Sequence, residues 1–101
     1  MDKQLPVGSV VYLQEGTTPL VVIAIAQFIK RTEDEKPSYF DYCGSLYPEG
    51  ATEEGIFYFN QEHISEVLFT GYESDLHTRY LQAIAEWKEK NPSEFIIGKI
   101  D

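Results

Sequence analysis

Cysteine is almost missing from this chain of 101 residues: Cys43 is the only one, and there are just two histidines, His63 and His77. One cysteine excludes an intramolecular disulfide and suits a reducing compartment. So few soft ligands also leave no paired C-x-x-C or H-x-x-x-H zinc pattern. Bases are scarce, with eight Lys and Arg against seventeen Asp and Glu, a formal charge of −9. A phosphate backbone and an anionic membrane surface would both repel such a chain, so neither nucleic acid nor membrane is an expected partner. A basic protein surface would not be repelled. Long apolar runs are absent too. The longest, Leu20 to Ala26, falls far short of the roughly 20 residues of a membrane helix. Met1-Asp2-Lys3-Gln4 leads into no signal-type apolar region, and the expected compartment is the cytoplasm.

Motifs for cofactors are lacking as well. No G-x-G-x-x-G or G-x-x-x-x-G-K-S/T occurs, and the acidic loops lack the alternating aspartates of a calcium loop. No cofactor and no metal are expected. Asp41, Cys43 and His63 are the only set that could imitate an acid, a nucleophile and a base. With one cysteine and two histidines in the chain, such a set arises by chance, and structural roles are expected for all three. Glu33/Glu35 and Glu53/Glu54 lie in polar loops with nothing to desolvate one member, so they read as solvated charge rather than as glycosidase pairs. No catalytic residue is expected.

What is present is a hydrophobic content of 43% beside 25% charged residues, ordinary for one globular domain spanning 1–101. Aromatics concentrate in Y-F-D-Y-C-G-S-L-Y-P-E-G, residues 39–50, and again between Ile56 and Glu73. Leu5-Pro6-Val7-Gly8-Ser9 reads as a turn and Val10 to Leu13 as a strand. Leu20 to Phe28 reads as a central strand, and Lys30 to Pro37 as a charged, solvated loop. A third strand starts near Ser38, with Phe40, Tyr42, Gly44 and Leu46 inward and Tyr39, Asp41, Cys43, Ser45 and Tyr47 opposite. Gly44 within it predicts a bulge or a close backbone approach. Tyr47-Pro48-Glu49-Gly50 turns the chain. Ile56 to Phe59 is a short strand, Asn60 caps one helical turn, and Ser65 to Thr70 is a fifth strand.

Ser74 caps the one clear helix, Asp75 to about Lys90, which Asn91-Pro92 stops. Leu76, Tyr80, Ala83, Ile84 and Trp87 recur at helical spacing and predict a buried stripe. The tail, 92–101, carries Phe95-Ile96-Ile97 and is expected to dock on the domain or on a partner. The fold expected is α+β: a twisted antiparallel sheet of about five strands, curled toward a half-open barrel, with one C-terminal helix. Its core is expected from Val11, Leu13, Val21, Ile23, Ile25, Phe40, Tyr42, Leu46, Phe57, Phe59, Val67, Phe69, Leu76, Tyr80, Ile84 and Trp87.

One surface suggests binding. Tyr39, Tyr47 and Pro48, with Tyr72 near them, offer amphipathic rings beside the carboxylates of Glu49, Glu53 and Glu54. Tyrosine supplies contact area at low entropic cost and is enriched at interfaces.

The ordered segments L-P-V-G-S-V-V-Y-L at 5–13, Y-F-D-Y-C-G-S-L-Y-P-E-G at 39–50 and F-Y-F-N-Q-E-H-I-S-E-V-L-F-T-G-Y at 57–72 carry a resemblance. Together they resemble a family of small Gram-positive (Firmicutes) proteins of about this length, catalogued as a domain of unknown function. The resemblance spans about residues 5–85. Members of that family are encoded beside type VII secretion genes and LXG polymorphic toxins. The resemblance therefore implies an accessory role: a chaperone or a targeting or adaptor factor that binds an exported toxin. It also admits an immunity protein that blocks a toxic domain, which an acidic surface would suit. An enzyme of unknown type is a distant third. The family brings no catalytic residues to carry over, and the oligomeric state is left open.

Overall fold

The computed structural model describes residues 4–30, 32 and 35–99. Met1 to Lys3, Arg31, Glu33 and Asp34 of the charged loop, and Ile100 and Asp101 of the tail lie outside the described residues. Glu33 of the Glu33/Glu35 pair thus lies outside the described residues, while Glu35 is exposed and accepts the Thr32 N–H at 3.1 Å.

The elements run β1 (Val10–Leu13), β2 (Leu20–Ile29), β3 (Ser38–Leu46), β4 (Ile56–Phe59), a 3-10 turn (Gln61–His63), β5 (Ile64–Phe69), α1 (Asp75–Lys90) and β6 (Ile96–Ile97). The expected α+β fold with one C-terminal helix holds. The strands pair in the order β4-β3-β2-β1-β5, all antiparallel, and β6 adds to β3 in parallel. The sheet is open and does not close into a barrel. β6 is the strand that raises the count above five. Only two residues long, it falls below what alternation can signal. Its pairing, Ser38 with Ile96 and Tyr39 with Ile97, lays the tail against the start of β3.

Long β2 is bent by a register shift between Val22 and Ala24 and by a left-handed residue, Ala26, at φ 54°. The shift explains the misplaced residues of this strand. A one-residue slip exchanges the faces of a strand, so Leu20, Val22 and Ile25 enter the core while Val21 is only half-buried and Ile23 is exposed. Opposite the bulge sits Gly44. A Cβ there would stand 2.9 Å from the Phe59 ring and 3.2 Å from the Val21 carbonyl oxygen, which is the close approach the glycine predicted.

The core is small: Leu5, Val11, Leu20, Val22, Ile25, Tyr42 and Phe59, with Leu13, Leu46, Ile64, Val67 and Leu81 packed against it. Phe57 and Phe69 belong to edge strands and are exposed, contrary to expectation. β3 is buried on both faces along most of its length, with Phe95 of the tail and Lys88 of α1 over Tyr39. Tyr39, Cys43 and Ser45 are buried there beside Phe40 and Tyr42.

Helix α1 spans the expected residues, and its acidic start (Asp75) and basic end (Lys88, Lys90) complement the dipole. Its rotation is not the expected one. None of its residues is buried. The half-buried positions are His77, Leu81, Ile84 and Lys88, a strip at i, i+4, i+7 and i+11 that faces the sheet. Leu76 is 74% exposed, Tyr80 45% and Trp87 41%. Three contacts set this rotation. His77 Nε2 lies 3.1 Å from the Gln4 carbonyl oxygen, Leu81 packs on the core, and the Lys88 ammonium lies over the Tyr39 ring. At about 100° per residue, the apolar stripe is left roughly a quarter turn away from the sheet.

Candidate functional site

The residues singled out for chemistry are brought near one another, and each is engaged in holding the chain. The Asp41 carboxylate accepts the Gln61 N–H at 2.8 Å, and the Asp41 N–H donates to Asn60 Oδ1 at 2.8 Å. His63 Nδ1 accepts the Asn60 N–H at 2.9 Å, closing the small helical turn on its cap. Asn60 Nδ2 donates to the Gly98 carbonyl at 2.9 Å, so one buried side chain ties β3, β4 and the tail together. The Tyr42 hydroxyl accepts the Leu5 N–H at 2.8 Å and donates to Gln61 Oε1. Cys43 has no imidazole to activate it. Its thiol neighbours the Tyr58 hydroxyl, and burial pushes its pKa up, with the Tyr58 hydrogen bond acting weakly the other way. A raised thiol is a poor nucleophile at neutral pH. Asp41, Cys43 and His63 thus form hydrogen-bonded joints instead of a relay.

The predicted binding surface separates into three places. Tyr39 is only 3% exposed, so its assignment to the surface is corrected. Its ring lies among Phe28 and Phe95, at centroid distances of 5.1 and 6.1 Å, beneath the Lys88 ammonium. The error came from treating β3 as half-solvated. Phe95 of the tail and Lys88 of α1 cover the ring, and neither contact is signalled by the alternation of β3. Tyr47 is 52% exposed, and with Val10, Pro19, Leu68 and Phe69 it lines an apolar hollow of about 400 Å³. Pro48, Glu49, Glu53 and Glu54 are exposed on the connection that follows. Tyr72 does not join them. It is 85% exposed and lines a different groove of about 550 Å³, between α1 and the sheet, with Pro6, Val7, Ile25, Leu76 and Tyr80.

Val10, Pro19, Leu68 and Phe69 are the members of the Tyr47 hollow that sequence reasoning missed, and Leu68 and Phe69 are the exposed ones, at 45% and 62%. β5 carried no local signal that could have found those two. Its register against β1 shifts between Val10 and Val11 and again between Tyr12 and Leu13, so strict alternation could not sort its faces. Among the described residues, no group of three His, Cys, Asp or Glu side chains could hold a metal ion. No helix there is long and apolar enough to cross a membrane.

A family model described as "Domain of unknown function (DUF4176)" matches residues 4–79. The chain belongs to that family. No curated protein and no solved structure matches it. The DUF4176 region takes in the sheet from β1 to β5, the Tyr47 hollow and the first turn of α1. It stops inside the helix. The second half of α1, Phe95 and β6 lie beyond it.

Proposed function

We propose that this DUF4176 protein is a non-enzymatic accessory factor that acts by binding another protein, most specifically a chaperone or targeting factor for a type VII-secreted LXG toxin. The observation that carries the binding role is the apolar hollow under Tyr47. Solvated Tyr47, Leu68 and Phe69 line it, with the carboxylates of Glu49, Glu53 and Glu54 on the following connection. Apolar anchors surrounded by polar groups are how interfaces are built, and contiguous apolar surface on a small protein marks a docking place. The charge of −9 suits a basic partner and speeds its approach. The toxin as partner rests on the family resemblance of the three sequence segments, and the cytoplasm as compartment on composition.

An immunity role makes a different demand on the same surface. A chaperone or targeting factor binds the export half of the toxin, whereas an inhibitor binds its toxic half. Co-purification of the full chain with each half of a genetically neighbouring LXG toxin tests this. Retention of the export half alone is the expected result. Retention of the toxic half alone would replace the proposal with immunity, and retention of neither would end the toxin assignment.

A further inference from the structure

The apolar stripe of α1 is only partly covered by this fold: Phe28 and Phe95 touch Trp87 from one side, and Leu76, Tyr80 and Trp87 stay 74%, 45% and 41% exposed. Leu76, Tyr80, Ala83 and Trp87 share one face, about a quarter turn from the sheet-facing strip, and all are exposed. Along one edge of that stripe run Asp75, Arg79, Glu86 and Lys90, also exposed, with signs −, +, −, +. Read in the opposite direction the order is +, −, +, −. The edge is therefore complementary to itself when two helices meet antiparallel.

We propose that α1 is a homodimer surface, on which a second copy of this chain packs its own α1 antiparallel about a two-fold axis passing between Tyr80 and Ala83. That axis sets Leu76 against Trp87 of the second copy, and Tyr80 against Ala83 of the second copy. On the flank it brings Asp75 to Lys90 and Arg79 to Glu86, each pair formed twice. Isologous contacts of this kind require a self-complementary patch, and both the apolar and the charged rows meet that requirement. Antiparallel packing also opposes the two helix dipoles favourably. At the 150–250 Å² that an aromatic side chain presents, the solvated parts of Tyr72, Tyr80 and Trp87 come to roughly 300–400 Å² per copy. Leu76 and Val7 extend the patch to on the order of 500–600 Å², which places the pair near the lower limit of specific interfaces and its affinity in the micromolar range. The surface shares no lining residue with the Tyr47 hollow, so the dimer leaves that hollow open to its partner.

The charges have another explanation to be separated. Asp75/Arg79 and Glu86/Lys90 are also four residues apart within one helix, a spacing that stabilises isolated helices. A charge swap distinguishes the two. Arg79 and Glu86 are seven residues apart in one chain and meet only between copies. In Arg79→Glu/Glu86→Arg both intrahelical pairs become repulsive, while the contact between copies is restored.

Sedimentation equilibrium of the purified chain alone, from about 1 to 500 µM, is the test. A monomer–dimer equilibrium is expected, with Trp87, the only tryptophan, shifting its emission to shorter wavelength as the dimer forms. Leu76→Asp should abolish the dimer with unchanged circular dichroism, since Leu76 is mostly solvated and an acid suits the first turn. Arg79→Glu should weaken the dimer about tenfold, and the double swap should return it to within about threefold of wild type. A monomer throughout the range, a dimer indifferent to Leu76→Asp, or a swap without rescue would each overturn the proposal. So would a monomeric wild type whose α1 variants lose the toxin half, because the face would then belong to that partner. No toxin is needed for the primary measurement, so its outcome is independent of the accessory role.

Discussion

Lys88 holds its ammonium 3.7 Å from the centre of the Tyr39 ring, with the Phe95 ring 5.9 Å away. A cation over a ring face is attracted by the ring's quadrupole, while the lysine stem covers apolar surface beneath. This contact joins the second half of α1 to β3, and it seats a lysine where an apolar residue was expected. Lys88→Met keeps the stem and removes the charge. It should cost about 0.5–1 kcal/mol, the range for a partly solvated cation–π pair. Urea denaturation checks this, and a midpoint at or above wild type would show that the charge adds nothing to the packing.

Tyr42 predicts an alkaline limit to stability. Burial pushes its hydroxyl from 10 up to about 12, against the Leu5 N–H bonded to its oxygen, and the Asp41 charge adds to the rise. A phenol with a raised pKa in the folded state holds its proton more tightly there than when unfolded. Its contribution is complete below pH 10 and is lost as pH climbs through about 12. Taken alone, that displacement is on the order of 2–3 kcal/mol. Burial raises the Tyr39 and Tyr58 hydroxyls in the same direction. Chemical denaturation at stepped pH, read beside tyrosinate absorbance, should show stability falling between those limits. Tyr42→Phe should lower stability at neutral pH by about 1–3 kcal/mol, because the Leu5 N–H loses its acceptor, and should flatten the alkaline slope. A slope unchanged by that substitution would assign the loss to other groups.

Gly44 is the residue whose structural role was plainest in the sequence. Adding a methyl there drives it into the Phe59 ring edge and the Val21 carbonyl. Gly44→Ala should destabilise by about 1–3 kcal/mol, the usual cost of overpacking, in a thermal melt. An unchanged melting temperature would mean that β4 yields freely.

The same reasoning reached β1 to β5, the helix limits and the Asn60 turn, because each rests on local chemistry such as alternation, a Gly or a Pro; Ser74 stands at the helix start as expected, but its side chain makes no capping hydrogen bond. Sequence reasoning failed where a distant contact decides. The bulge in β2 kept Ile25 inward as expected but exchanged Val21 and Ile23 for Leu20 and Val22, residues of similar hydrophobicity whose burial depends on register with β3. α1 carries a sound amphipathic pattern, yet Lys88 and His77 face the sheet, and Trp87 stays 41% exposed although its ring meets Phe28 and Phe95 at 5.2 and 5.9 Å. Periodicity locates an apolar face but does not name what covers it. For the candidate site, Tyr47 was legible as a ring beside a rigid turn. Its neighbours Leu68 and Phe69 were not, since their exposure follows from the irregular pairing of β5 with β1.

Cys43 should behave as a packed side chain. Its thiol is buried and its pKa is raised, so little thiolate exists at neutral pH. A disulfide reagent should react with the native protein far more slowly than with the protein in denaturant. Cys43→Ala should keep partner binding and cost only the packing of a small side chain. Fast native labelling, or lost binding in a folded Cys43→Ala variant, would return the thiol to consideration as a functional group.

The Tyr47 surface allows the contributions of area and charge to be separated. Tyr47 is half solvated at a hollow whose other walls are Val10, Pro19, Leu68 and Phe69, so truncating it removes contact area without opening the core. Tyr47→Ala should weaken binding to the toxin's export half by about 1–2 kcal/mol, chiefly through faster dissociation, as expected of an aromatic anchor. Glu53 and Glu54 are exposed and act at a distance. Neutralising both should slow association at low salt and matter little near physiological ionic strength, where screening acts over about 8 Å. Both variants should melt within a few degrees of wild type. Surface plasmon resonance at two ionic strengths reads both rates. If Tyr47→Ala leaves dissociation unchanged while the Glu53/Glu54 variant abolishes binding at high salt, contact runs through the acidic loop, and the hollow is not the anchor. If neither variant alters either rate, the partner docks away from this surface altogether, and the accessory role would have to be carried by another face of the sheet.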